Sequence, residues 1–280
     1  MMKKTNLFLI GAPKCGTTSL AESLSSFQEI SLGKKKEPNF FNTDFKNLVD
    51  CNDINEYLNL YNFNNDSIYF LDSSTVYLRS QDAVSNIIDF NSQSKFIVCY
   101  RKNLTKMFVS VYNQLYKSQK IKVPLSKVKD INDISMLDEI ISICNLGEQI
   151  QKLLDRIDDM NSILFIPMNE LDNVEQIDIR LNRFLNVKMN QYYKRKSNVG
   201  VKRIRSKNLP ILVAKLNRLK LFFGLKHISF GFNKQITKMN HERGNSCIHP
   251  HLISQIDSVL ESYQINFDEC LNKLNNISKC

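Results

Sequence analysis

The apolar positions of this chain fall into short blocks separated by longer amphipathic stretches. Residues 6–11, NLFLIG, form a compact apolar run ending in a Gly-Pro loop, and the TTSLAESLSSF that follows brings Leu20, Leu24 and Phe27 to one helical face. That pattern predicts strand, loop and helix. IYFLDSS (68–74), KFIVCYR (95–101) and SILFIP (162–167) read as three more buried parallel strands, the last preceded by the helical stretch GEQIQKLLDRI. Residues 102–160 read mainly as helix, with KMFVSVYNQLY the strongest amphipathic piece, and the tail after 246 predicts two helices interrupted at QINFD. Buried strands alternating with helices indicate an α/β fold around a central, mostly parallel sheet. Ligands of such sheets bind beyond the carboxyl ends of the strands, so Lys14, Asp72 to Ser74 and Arg101 are expected to converge on one rim.

Composition narrows this picture. The chain has 280 residues, 42% of them hydrophobic, enough for a substantial core. It shows neither an internal repeat nor a low-complexity linker, so the expectation is a single domain, residues 1–280, with a basic loop and helical insertion around 192–245. No apolar run is long enough to cross a bilayer, and the first ten residues lead into a strand rather than a cleavage site, which predicts a soluble, cytoplasmic protein. The seven cysteines are scattered and include no C-x-x-C pair, as expected of reduced thiols rather than a disulfide framework or a zinc site. The net charge of +10 calls for an anionic partner without choosing which. Part of the excess lies in YYKRKSNVGVKRIRSK, residues 192–207.

The candidate chemistry begins at GAPKCGTT, residues 11–18. A nucleoside-triphosphate loop reads G-x-x-x-x-G-K-[ST]; here Gly11, Gly16 and Thr18 fit, Thr17 stands in the lysine position, and the cation lies three places earlier at Lys14. The free amides and dipole of a helix start still favour an anion there, with hydroxyls at Thr17, Thr18 and Ser19, but the clamp for a γ-phosphate is gone. Such a loop suits a donor with one phosphate carrying a transferable group.

On these residues the chain resembles the sulfotransferases, whose 5′-phosphosulfate loop is close to P-K-x-G-T-T-x-L. GKKKEPNFFN (33–42) is similar to the K-E-P-x-F-F stretch of the bacterial members and to the E-x-x-F-F of the glycosaminoglycan branch. KFIVCYRKNLTKMFVSVYNQLY (95–116) resembles the family's 3′-phosphate element, a strand ending in Arg followed by a helix bearing Ser. Lys102 and Ser110 stand at the family's spacing and Arg101 is one residue further off; Arg101 is preferred because it ends the strand. FLDSSTVYL (70–78) is similar to E-x-[ST]-P-x-Y-[LF], with Asp72 for the acid, Thr75 for the proline, and Ser73 where the glycosaminoglycan branch has lysine. LGEQIQKLLDRI resembles the family's G-x-Y helix with Gln149 for the tyrosine, and the basic loop resembles the one that closes over the donor, which brings in Arg203 or Arg205.

The resemblance implies a P-loop-like three-layer fold and 3′-phosphoadenosine 5′-phosphosulfate (PAPS) as co-substrate, with no metal. It implies Glu37 as general base and Lys14 as the cation facing the departing phosphate. It places the donor on Lys14, Cys15, Gly16, Thr17, Thr18, Ser19, Arg101 and Ser110. The acceptor is expected to be a glycan, a glycolipid or a small hydroxylated molecule; no nucleic acid partner is expected, and peripheral membrane contact is left open. Cys15 reads as a small loop residue rather than a nucleophile, and His227, His241, His249 and His251 have no metal-ligand spacing. Two rivals share some of these features. A P-loop kinase-like phosphotransferase lacks its lysine here, and a non-catalytic basic nucleic-acid binder leaves the Lys14, Glu37 and Arg101 pattern unexplained.

Overall fold

The computed structural model describes residues 3–49, 51, 53–63, 66–187 and 248–277, and the backbone of 202–204 and 241–243. The apolar run at the start forms β1 (Leu7–Gly11), buried at every residue. The loop after it leads into α1 (Thr17–Leu24), β2 (Ile30–Leu32), α2 (Ile54–Leu58) and β3 (Tyr69–Asp72). Then follow α3 (Ala83–Phe90), β4 (Lys95–Tyr100), α4 (Leu104–Lys117), α5 (Leu137–Cys144), α6 (Leu146–Leu154), β5 (Ile163–Pro167) and α7 (Val174–Leu185). The five strands form one parallel sheet in the order β2-β3-β1-β4-β5, with helices flanking it, as the strand and helix pattern predicted. The edge strand β2 was not foreseen: three residues are too few to show a periodicity.

β1 is the middle strand. Leu7 pairs with Leu71 on one side and with Lys95 on the other, and Phe8 stacks on Phe96 with ring centroids 6.0 Å apart. The chain leaves β1 for the β2 edge, returns through β3, and crosses to β4 beyond β1. This reversal is the switch point at which open parallel sheets bind ligands. The β1–β4 register shifts between Leu9 and Gly11, after which Ala12 N–H donates to Cys99 O at 2.5 Å, so the loop after β1 remains fastened to β4.

The tail corrects one expectation. Residues Pro250–Ile277 form one continuous helix, α8, with no interruption at QINFD. Packing decides this. Phe267 is fully buried and meets Tyr100 edge-on at 5.7 Å. Gln264 accepts from Leu104 N–H at 3.0 Å and donates to Lys102 O at 2.9 Å, capping the start of α4. Gly147 of α6 lets α8 approach, since a Cβ there would lie 2.7 Å from Asn266 Oδ1 and 3.0 Å from Phe267 N.

The chain divides into two compact units, Met1–Ser197 with Ile248–Cys280, and Asn198–Cys247. In the second, β6 (Lys202–Ile204) and β7 (His241–Arg243) pair antiparallel, with Lys202 opposite Arg243. The rest of the basic insertion expected at 192–245, with the side chains of Arg203, Arg205, His227 and His241, lies outside the described residues. Among the described residues no helix is long and apolar enough to cross a membrane, and Cys15, Cys51, Cys99, Cys144 and Cys270 are free and buried.

Gly147→Ala should destabilise the chain by about 1–3 kcal/mol, because the backbone of α8 must move to admit the methyl group. Urea denaturation measures this; an unchanged midpoint would show that the two helices are not held at this separation.

Candidate active site

Three segments meet beyond the carboxyl ends of β1, β3 and β4. The first is the loop 12–16. Lys14 and Gly16 take left-handed backbone angles, with φ of 64° and 88°, a conformation that presents successive amides to one side. At Gly16 a Cβ would also lie 2.6 Å from Leu171 Cδ1. Cys15 N–H turns back to Ala12 O at 3.3 Å, and the first bond of α1 runs from Leu20 N–H to Gly16 O at 3.0 Å. The amides of Gly16, Thr17 and Thr18 therefore have no acceptor within the helix and can take an anion. Burial pushes the Cys15 thiol up to about 12, so at neutral pH it is a packing group and not a nucleophile.

The second segment is KEPNFF, and its shape comes from β3. Glu37 and Asn39 are both left-handed, with φ of 55° and 53°. Each such residue costs about 1–2 kcal/mol and must be held from outside. Glu37 N–H donates to Ser73 O at 3.2 Å, Asn39 N–H to Ser74 Oγ at 3.1 Å, and Phe41 N–H to the Tyr77 hydroxyl at 3.3 Å. Phe41 is buried against Phe8, Tyr57 and Tyr77, and Phe40 stacks on Tyr57 at 4.8 Å, so the two phenylalanines of the motif anchor the loop.

Behind this loop lies Asp72, 1% exposed, accepting from Ser74 Oγ at 2.7 Å and from the Tyr57 and Tyr77 hydroxyls at 3.0 Å each. Burial raises its carboxyl from 3.8 to about 6, an effect that the three hydroxyls reduce and the nearby charge of Glu37 reinforces. Ser74 and Tyr77, which bond the backbone of 39–41, are thus themselves held by this one acid. The sequence marked Asp72 as a rim residue without this supporting role.

The third segment is the end of β4. Arg101 turns inward: its Nη2 donates to Lys14 O at 3.2 Å and approaches Met168 Sδ at 3.0 Å, so it braces the loop at its left-handed lysine. Its Nε is buried with no hydrogen-bond partner among the described residues. Lys102 is exposed. Ser110, half-buried on α4, donates to Lys106 O at 2.8 Å. Lys117 lies two turns further along the same helix face.

The expected residues are largely brought together. The Lys14 ammonium is held below its ordinary range, first by burial and then by the charges of Lys117, Lys36 and Arg101, with Glu37 opposing them. Thr17 and Ser19 are buried at the start of α1. Glu37 is half-exposed, with Thr75 Oγ1 3.4 Å from its Oε1. Ser110 makes no described contact with the loop. Sequence reasoning missed Lys36, whose ammonium donates to Thr18 Oγ1 at 2.6 Å and lies 3.4 Å from the Glu37 carboxylate. The signal for it was its place as the lysine of the K-E-P-x-F-F stretch.

No family model matches the chain. Among solved structures, a sulfotransferase from Alicyclobacillus acidocaldarius shares this fold. It superposes with a TM-score of 0.57 and 20% identity, over 79% of this chain and 96% of its own. A mouse sulfotransferase complexed with PAP has a TM-score of 0.46 and 15% identity over 99% of this chain and 90% of its own. Among curated proteins, a histidinol-phosphate aminotransferase from Brachyspira hyodysenteriae is 30% identical over 185 residues, 64% of this chain and 49% of that protein. The chain spans about half the length of that relative, whose name belongs to the whole of it.

The raised Asp72 sets a pH dependence. Between about pH 4 and its folded value of about 6, the folded chain holds a proton there that the unfolded chain releases. The stability contributed by this group is therefore present below that window and lost as pH rises through it. The unfolding free energy of the wild type minus that of Asp72→Asn should fall by on the order of 2–3 kcal/mol from about pH 4 to about pH 7. Urea titrations at stepped pH measure it, and a flat difference would contradict the burial argument.

Proposed function

We propose that this protein is a sulfotransferase that moves a sulfuryl group from PAPS to an acceptor hydroxyl on a carbohydrate or glycolipid. The observation that carries the reading is that one ammonium, Lys36, touches both the anion loop at Thr18 and the carboxylate of Glu37. Donor cradle and candidate base are therefore separated by little more than the width of a transferring group. The residues fit an anionic donor: the amides of Gly16, Thr17 and Thr18, the Thr17, Thr18 and Ser19 hydroxyls, and Lys14, with Cys15 filling the turn. Arg101 supports this loop and adds positive charge to the donor site; on this reading Ser110, with Arg101 or the exposed Lys102, takes the 3′-phosphate.

In the proposed reaction the acceptor oxygen forms a bond to sulfur as the bond from sulfur to the phosphate oxygen breaks. Glu37 takes the acceptor's proton, and the electron pair of the broken bond stays on the phosphate, where Lys14 meets it. Positioning and fixed charge supply the catalysis, and the scheme requires no metal because the sulfuryl group carries less charge than a phosphoryl group. The free buried cysteines support a cytoplasmic setting. Residues 192–245 are read as an insertion within one transferase domain.

Labelled sulfate from PAPS should appear in acceptor glycans or lipids, and the activity should persist in a chelator. Calorimetry should show tighter binding of adenosine 3′,5′-bisphosphate than of ATP, and no DNA binding that collapses steeply with salt. ATP-dependent, chelator-sensitive transfer would favour a kinase-like enzyme, and DNA binding alone a nucleic-acid binder. Lys14→Ala should lower turnover by roughly 100-fold or more with the fold intact. Glu37→Gln should lower kcat far more than donor affinity; equal losses in both would remove Glu37 as the base.

A further inference from the structure

We infer that Arg79 selects the acceptor by holding a singly charged oxyanion, a carboxylate or a sulfate ester, carried near the hydroxyl to be sulfated; this rests on the sulfuryl-transfer reading. The Arg79 side chain is half-buried and lies over the Phe45 ring, with Cζ 4.4 Å from the ring centroid. Among the described residues its guanidinium makes neither a hydrogen bond nor an ion pair. Two acids stand near, and neither takes its N–H groups. Asp44 is engaged elsewhere: its Oδ1 accepts from Ser80 Oγ at 2.6 Å and its Oδ2 from Gln81 N–H at 2.9 Å. Glu139, exposed in the first turn of α5, acts on Arg79 only as a nearby charge. Burial holds the guanidinium below its ordinary range, against the charges of Glu139 and Asp44, yet an arginine stays cationic at neutral pH. A cation drawn partly out of water with all five donors unused is costly, and an anion arriving from solution removes that cost.

The segments that hold Glu37 also hold Arg79. Thr75, whose Oγ1 lies 3.4 Å from Glu37 Oε1, precedes Arg79 by one turn, in which the N–H groups of Arg79 and Ser80 both donate to Val76 O at 3.0 Å. The KEPNFF segment runs on to Phe45 and is clamped to residues 80–82 by Asp44 and by the Thr43 hydroxyl, which donates to Asp82. Side chains one turn apart are rooted about 5–6 Å from each other, a separation that one small acceptor spans. A hydroxyl at Glu37 and an anion at Arg79 therefore belong to the same molecule. The planar fork of N–H groups matches two oxygens of a carboxylate or a sulfate ester. A doubly charged phosphate would meet twice the repulsion from Asp44 and Glu139, so one negative charge fits better. No proton moves at Arg79; it orients the acceptor, and the acceptor's proton still goes to Glu37.

Three acceptor probes test this: phenyl glucoside, its sulfate ester at the primary hydroxyl, and phenyl glucuronide. With saturating PAPS, kcat/KM should be at least about 10-fold higher for one of the anionic glycosides than for phenyl glucoside, and the better of the two tells carboxylate from sulfate. That ratio should fall below about 3-fold in Arg79→Gln and lie between the two in Arg79→Lys, which keeps the charge and loses the fork. A wild type without the preference overturns the inference. So does a loss in Arg79→Gln that is equal for all three probes, since a merely structural residue leaves the ratio unchanged. If Arg79→Gln does not fold, an unchanged ratio in Arg79→Lys overturns it instead. A wild type that neither binds adenosine 3′,5′-bisphosphate nor transfers sulfate fails the functional reading itself. Wherever no probe is sulfated, Arg79 is judged by thermal shifts. An anionic glycoside should stabilise the wild type more than phenyl glucoside does, and Arg79→Gln should lose at least about half of that excess; a smaller loss, or no excess, overturns the anion site.

Discussion

The pairing of β1 between β3 and β4 is the constraint on which this molecule depends. A fully buried strand must satisfy every amide and carbonyl through its neighbours, and both neighbours run parallel to it. Parallel pairing places the three carboxyl ends on the same side. The anion loop, the Asp72 segment and Arg101 are consequences of that single arrangement. Had either neighbour run antiparallel, one of the three groups would lie at the far end of the sheet.

Within this frame, strained backbone is placed where the chemistry is proposed and is secured from behind. Lys14 is left-handed and its carbonyl is captured by Arg101; Glu37 and Asn39 are left-handed and their amides are captured by Ser73 and Ser74. Hydrogen bonds worth about 1 kcal/mol each offset conformations that cost about as much. Asp72 ties the second set together by collecting three hydroxyls around one carboxylate. A buried acid of this kind orders its neighbours at the expense of its own desolvation, and for that reason its proton affinity rises.

The four longer strands were legible because most of their residues are buried and so form nearly unbroken apolar runs. α1 was legible from its spacing. β2 was too short to show a pattern, and the continuity of α8 was hidden because QINFD has polar residues at positions where a partner, rather than water, supplies the contacts. Gln264 and Phe267 could be read as a helix only with α4 and β4 beside them. In the candidate site, Lys14, Glu37 and Arg101 stood out through motif spacing. Lys36 stood in the K-E-P-x-F-F stretch but took on no role of its own until a distance was known.

What the sequence by itself determined was local: the strand and helix periods, the turn that requires Gly16, and the order of charged and hydroxyl residues along the loops. Those properties depend on neighbours a few positions away, which a linear pattern records. The direction in which Arg101 points, the left-handed shape of KEPNFF, the proton affinity of Asp72 and the bridge made by Lys36 were decided only by the tertiary structure. Each depends on atoms brought together from more than one segment, and burial and electrostatic interaction act through space rather than along the chain.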